Sequence, residues 1–241
     1  MPRGECGIAG EGITTVDGAR RYWRKVWAVA RKDLLIELRS RDVISSAIVF
    51  TLLVLLIFNF ALDLTGDTVR AVAPGILWVT FIFAGMLTLG RTFARERERG
   101  ALQGLLLAPL DRGGLFIAKL VVNLLLLGIV EVVALPAFIA LYNLSPRPGE
   151  LLAVVALGTV GFATVGTLFA AVAANTRARE ALLPLLLFPV LVPVIIGAVK
   201  ATGETLPGVA PGGPPWLGLL IAFDALFLAL GYALFEYVIE E

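Results

Sequence analysis

Few side chains in this sequence could do chemistry, and most of those lie in apolar surroundings. Glu131 stands inside the hydrophobic run 120–142 and Asp224 inside 216–239, with Asn123 near the start of the first run. An ionised carboxylate at the centre of a bilayer costs at least ~2.5 to 3.5 kcal/mol on insertion scales, so each acid is expected to face a bundle interior or to carry a proton. Two uses are open. The acids form a proton relay, or each hydrogen-bonds a neighbouring helix as structure; Asn123 fits the second. Other chemistry is thinly provided. The chain has no histidine, which removes the commonest metal ligand and general base, and with them HExxH zinc sites and serine–histidine catalysis. Its one cysteine, Cys6, cannot form an internal disulfide or a CxxC pair. There is no G-x-x-x-x-G-K-[ST] loop and no GxSxG turn. No catalytic residue and no metal ligand is therefore assigned, and any nucleotide-derived energy has to come from another protein.

The elements that must hold these residues are membrane spans. Of 241 residues 59% are hydrophobic and 16% charged, with mean hydropathy +0.91, which excludes an ordinary water-soluble enzyme. A helix crossing a hydrocarbon slab of about 30 Å needs roughly 20 apolar residues. Six stretches reach that length: 44–62, 72–90, 120–142, 151–174, 181–199 and 216–239. None alternates like a barrel strand, so the fold class is all-α integral membrane with six transmembrane helices.

Charge sets the expected orientation, because Lys and Arg are retained on the cytoplasmic side. Residues 1–43 hold nine, 91–119 six and 175–180 two, seventeen of the chain's twenty; Arg70, Arg147 and Lys200 are alone in the alternate connections. Both termini are expected to be cytoplasmic. A net charge of +1 gives no global field for nucleic acid. The polar, glycine-rich residues 1–19 have no signal-peptide pattern and are expected to be a mobile tail, Cys6 included.

Two cytoplasmic segments stand out. Within 20–42, Trp23, Val26, Trp27, Ala30, Leu34 and Leu38 recur at helical spacing with Arg24, Lys25, Arg31, Lys32 and Arg39 off that stripe. This predicts an amphipathic interfacial helix, an elbow in the headgroup plane that feeds the permease domain 43–241. The loop 91–119 places Arg91, Arg95 and Arg99 on one helical line with Glu96 and Glu98 between them, where like charges repel unless a partner meets them. Leu105, Leu106 and Leu107, before Pro109, then make an apolar knob too short to span. Docking into a partner groove would bury it.

Within the spans, Pro136 interrupts the third and Pro184, Pro189 and Pro193 the fifth, predicting bends and hinge positions at Pro136, Pro189 and Pro193. Thr159, Ala163, Thr167 and Ala171 repeat every four residues along the fourth, a line for close helix packing. Asn59, Asp63 and Asp67, at the outer end of the first span, read as solvated caps.

Three local stretches carry a family likeness: Ala73-Pro-Gly-Ile-Leu-Trp78; the charged run Phe93 to Gly100 leading to Leu105-Leu-Leu-Ala-Pro109 and Lys119; and Phe188-Pro-Val-Leu-Val-Pro193. In order and spacing the chain, from about residue 22 onward, resembles CcmB, the membrane subunit of the haem-exporter ABC system of cytochrome c maturation. The resemblance implies a permease in the bacterial cytoplasmic (inner) membrane. Its partners would be a cytosolic ATP-binding subunit, CcmA, then CcmC, CcmD and the haem chaperone CcmE, with two copies of this chain per complex. It would support haem export or ATP-driven release of the loaded chaperone, with ATP on the partner and haem handled by the complex. The 91–109 segment would be the ATPase-coupling element. The other readings are an ABC exporter permease for another substrate, a proton-coupled secondary carrier using Glu131 and Asp224, and a non-transporting assembly scaffold.

Overall fold

The computed structural model describes residues 14–40, 42–62, 67–98, 111–174, 179–208 and 215–240. Within them the ordered elements are seven helices: α1 Thr14–Ser40, α2 Asp42–Ala61, α3 Asp67–Glu98, α4 Arg112–Leu141, α5 Pro148–Ala174, α6 Arg179–Glu204 and α7 Trp216–Glu240. All but α1 are long and apolar enough to cross a membrane, as the hydrophobic runs require. The third begins earlier than its apolar run. Residues 112–119, expected in the loop, are the first two turns of α4, and Lys119 among them is buried. Helix α1 likewise starts at Thr14, taking in residues that polarity alone leaves in the tail.

Helix α5 is the hub. Lipid tails are as apolar as leucine, so spans associate through close packing and not through escape from water, and small side chains set how near the backbones come. On one side of α5, Gly158 receives the indole of Trp78 from α3; a Cβ there would lie 2.1 Å from the ring. Phe162 in turn seats on Gly85, and Leu89 on Gly166, where a Cβ would meet neighbours at 2.2 and 2.4 Å. The partners ascend together, so α3 and α5 run parallel. The Trp78 indole also donates to Thr202 Oγ1 of α6 at 2.9 Å, satisfying a donor that hydrocarbon cannot.

Helix α7 joins α4 in the same fashion: Phe116 lies over Gly231 and Tyr232 over Gly113, and Phe116 and Phe235 rings are 5.3 Å apart. Helix α6 turns Leu183, Leu187, Leu191, Val194, Ala198 and Ala201 inward, a stripe of helical period. Its prolines lie off that stripe. Pro189 and Pro193 are exposed, as is Pro136 of α4, and both helices run unbroken through them. The expected interruptions are thus tolerated inside continuous helices, with the lost N–H bonds on the outer faces.

One end of the bundle is knitted by the short α4–α5 connection. Asn59 donates to the Leu141 carbonyl at 2.9 Å and Tyr142 Oη to the Leu55 carbonyl at 3.0 Å. The amide of Arg147 donates to Thr205 O at 3.0 Å, while its guanidinium meets the Glu204 carbonyl and, at 3.0 Å, Glu150. Asn59 is therefore an interhelical tie and not the solvated cap its neighbours Asp63 and Asp67 suggested; Asp63 and the Asp67 side chain lie outside the described residues. Asn143 takes the turn with φ of 48°, a left-handed conformation that asparagine tolerates.

The glycine seat at 158 can be tested against Gly128, around which a Cβ meets nothing within 4 Å. Gly158→Ala must displace the Trp78 ring and its bond to Thr202, an overpacking cost of about 1–3 kcal/mol. It should lower the Tm of the detergent-solubilised chain, and Gly128→Ala should not; equal Tm values would remove the seat from the account.

Candidate functional site

The three intramembrane polar residues Asn123, Glu131 and Asp224 all meet α5. Asn123 of α4 donates to Thr167 Oγ1 at 2.8 Å, and Thr167 donates in turn to the Ala163 carbonyl at 2.6 Å. One rung further, the Thr159 hydroxyl donates to Glu131 Oε1. Asn123 and Glu131 are separated by the same number of residues as Thr167 and Thr159, so the two rungs match an antiparallel α4–α5 pair about 12 Å apart. The line Thr159, Ala163, Thr167, Ala171 is more than a packing seam, because its hydroxyls are what the α4 polar groups bond.

Asp224 has a different setting. It is 5% exposed on α7, and neither carboxylate oxygen has a hydrogen-bond partner. It rests on Gly161 of α5, where a Cβ would come within 2.6 Å of Oδ1, and Val194 of α6 closes the same spot. Thr159 and Gly161 are two positions apart, hence about 200° around the helix. Helix α5 therefore stands between the two acids, and the structure does not bring Glu131 and Asp224 together as one relay.

A second polar contact was not singled out for its chemistry at the sequence level. Lys119 of α4, 1% exposed, meets Asp33 of α1 at 2.5 Å. The surrounding contact is apolar: Val26 and Ala30 of α1 pack on Ala118, Val122 and Leu126 of α4. The face of α1 that turns inward is thus Val26, Ala30, Asp33 and Glu37, the last also buried. Trp23 and Trp27, placed by periodicity on the same stripe as Val26 and Ala30, are 57% and 58% exposed, and Leu38 is exposed with them. The available signal was Asp33 and Glu37 at i,i+4, an acidic pair within the otherwise basic stretch 20–39 of the helix. Arg31 and Lys32 are exposed, and Lys32 also reaches Asp33 at 3.0 Å. An ion pair this buried resists solvent screening.

Of the residues expected to couple to an ATPase, Arg91, Arg95, Glu96 and Glu98 fall on the last turns of α3, with side chains outside the described set. Arg99, Leu105, Leu106, Leu107 and Pro109 lie outside the described residues altogether. Helix α3 continues unbroken past its apolar part, which ends at Leu89, to Glu98. Among the described residues no three His, Cys, Asp or Glu side chains gather as a metal site.

The family model described as CcmB protein matches residues 24–236, which takes in most of α1 and all six spans. The chain belongs to the CcmB family. It is 32% identical to heme exporter protein B of Paracoccus denitrificans over 185 residues, covering 76% of this chain and 85% of that one. With heme exporter protein B of Rhodobacter capsulatus the identity is 30% over 205 residues, 84% of this chain and 93% of the relative. The Pseudomonas aeruginosa protein of the same name is 29% identical over 199 residues, 80% and 87% of the two. Within the stretches that carried the likeness, three described residues have visible physical roles in this CcmB family member. Trp78 ties three helices through Gly158 and Thr202, Lys119 holds α1, and the ring of Phe188 meets Phe83 edge-on at 6.3 Å.

Removing Lys119 leaves Asp33 only the exposed Lys32 of its own helix as counter-charge. Lys119→Ala should therefore destabilise the chain, by at most about 3–5 kcal/mol, whereas Asp33→Leu combined with Lys119→Met should recover most of the loss. Thermal unfolding in detergent measures both, and a double variant no more stable than Lys119→Ala would contradict a simple pair.

Proposed function

We propose that this chain is the permease subunit of an ABC-type complex that serves haem export in cytochrome c biogenesis, residing in the bacterial cytoplasmic (inner) membrane with both termini inside. The observation that carries the reading is the family match across the whole bundle, with relatives that bear the name heme exporter protein B. A six-span chain without a phosphate-binding loop supports dependence on a separate cytosolic ATPase of the CcmA type. CcmC, CcmD and the chaperone CcmE complete the proposed assembly, with two copies of this chain. Haem is the cargo of the complex. Lacking histidine, this subunit has no side chain of the commonest haem-ligating kind, which supports a role in transmitting motion and not in holding cargo. A purified chain with a stoichiometric Soret band and protein axial ligation would contradict that role.

The mechanism follows from what flanks the 99–110 segment. On one side α3 carries the Arg91 and Arg95 turns as a continuation of a span whose other residues are keyed into α5 by Trp78, Phe162 and Leu89. On the other side α4 begins at Arg112 and is clasped to α1 through Lys119. A pull on the leucine knob by ATP-driven closure of the partner would act on both helices, as rigid bodies. Exposed Trp23 and Trp27 with Arg31 and Lys32 suit the headgroup layer, so α1 would anchor the moving pair to lipid. Pro136, Pro189 and Pro193 are where α4 and α6 would flex. The separation of Glu131 from Asp224 by α5 gives no support to a two-acid proton carrier.

Leu106→Asp, which would set a carboxylate in a desolvated groove, should abolish co-purification with the ATPase subunit while membrane insertion stays normal; unchanged co-purification would remove the loop from the mechanism. Arg95→Glu should weaken the assembly more at low than at high salt, because screening flattens an electrostatic contact. A defect of equal size at both ionic strengths would argue for a packing role.

A further inference from the structure

The spans contain several buried polar side chains, and most have found an acceptor or donor: Thr80 and Thr88 bond carbonyls of their own helix, Asn123 bonds Thr167, Trp78 bonds Thr202. Asp224 has not, although it is the most costly of them to leave unpaired. Its seat is nevertheless closely fitted. The carboxyl lies against the backbone of Gly161 in a space that any Cβ would invade, at 2.6 Å from Oδ1, with Val194 beside it. Gly161 and Val194 offer no cation and no side-chain donor, and neither carboxyl oxygen has a hydrogen-bond partner.

A site of this kind accepts a neutral carboxylic acid and rejects a carboxylate. Ionisation requires water or a counter-ion, and neither can reach the oxygens while α7 is pressed on α5. We propose that Asp224 is a proton-binding site: protonated, it lets α7 close on Gly161, and loss of the proton opens the α5–α6–α7 seam to water. The inference is independent of the haem-export reading and does not need Glu131, which lies across α5 and is bonded to Thr159.

The other titratable groups on the packed helices sit toward their ends. They are Glu150 in the first turn of α5, Arg179 and Glu180 at the start of α6 with Lys200 and Glu204 in its last turns, and Arg112 and Lys119 at the start of α4. On α7 itself Tyr232, Glu236, Tyr237 and Glu240 lie toward the C-terminal end. The closed seam binds the proton more tightly than the open one, so by linkage the closed state is favoured at low pH and lost as pH rises.

The test uses the full chain in nanodiscs with Cys6→Ser and a reporter, Leu220→Cys, at a fully buried α7 position that lies against Gly197 of α6. Labelling by a water-soluble maleimide is normalised to the exposed position 200 as Lys200→Cys, which corrects for the reagent and an exposed thiol, while the Asp224→Asn profile corrects for the buried thiol's own titration. With Asp224 present, normalised labelling should rise about tenfold between about pH 6 and about pH 9. In Asp224→Asn, which keeps the shape and cannot ionise, it should stay low and flat. Gly161→Ala, which unseats the carboxyl without removing it, should label readily at both pH values. A parallel rise in Asp224→Asn, or a flat profile with Asp224 intact, overturns the proposal. Should Asp224→Asn fail to insert, the Gly161→Ala profile decides alone: labelling at about pH 6 as low as the parent's at that pH removes the seat.

Discussion

Close approach to α5 is the constraint on which the rest of the bundle depends. Without a hydrophobic drive between spans, helices hold together only as tightly as their surfaces allow. The surface of α5 is built from glycine, alanine and threonine at the positions its neighbours need. Trp78 and Leu89 of α3 enter at Gly158 and Gly166, Asp224 of α7 enters at Gly161, and Asn123 and Glu131 of α4 meet Thr167 and Thr159. Each neighbour has its own sector of one helix. That division explains why α5 is mostly buried while α2 and α7, at the periphery, leave most of their apolar side chains outward.

The same division gives apparently equivalent groups different physics. Glu131 and Asp224 look alike in the sequence: one acid in one hydrophobic run each. Around α5 they are separated by a helix and by their partners, a hydroxyl for the first and bare backbone for the second. A carboxylate with a donor can serve as a rung between helices; one with none is poised by its protonation state. The contrast arises from which α5 residue each acid happens to face.

At the end of the bundle where α4 begins, an ion pair does what small residues do in the middle. Lys119 and Asp33 commit α1 to α4, and the apolar contact of Val26 and Ala30 with Ala118 and Val122 surrounds them. Helix α1 thereby acquires two distinct surfaces, one keyed to protein and one bearing Trp23 and Trp27 outward. With α3 running from its seats on α5 into the charged turns before Glu98, the segment between α3 and α4 is flanked by two firmly held helices. The coupling role proposed for that segment needs such a frame, since a force applied to a loose loop would be dissipated before it reached the spans.

The sequence by itself determined the number and approximate extent of the spans, because hydrocarbon thickness imposes a length and lipid leaves the backbone no alternative to a helix. It also determined family membership, which rests on several local stretches taken together in order and spacing and on a match running from residue 24 to 236, and the small-residue line on α5, which is a simple four-residue period. It misjudged the start of α4, since charged Lys119 and Arg112 and two glycines hide a helix from a hydropathy reading. It merged Trp23 and Trp27 with Val26 and Ala30, because a period places residues on a helix face but cannot say where protein ends and the open side begins. Which polar group meets which, whether two acids cooperate, and whether a lysine is buried were decided only by the tertiary structure. Those outcomes depend on the angular order of helices around α5, and no residue spacing within a single helix encodes the position of its neighbours.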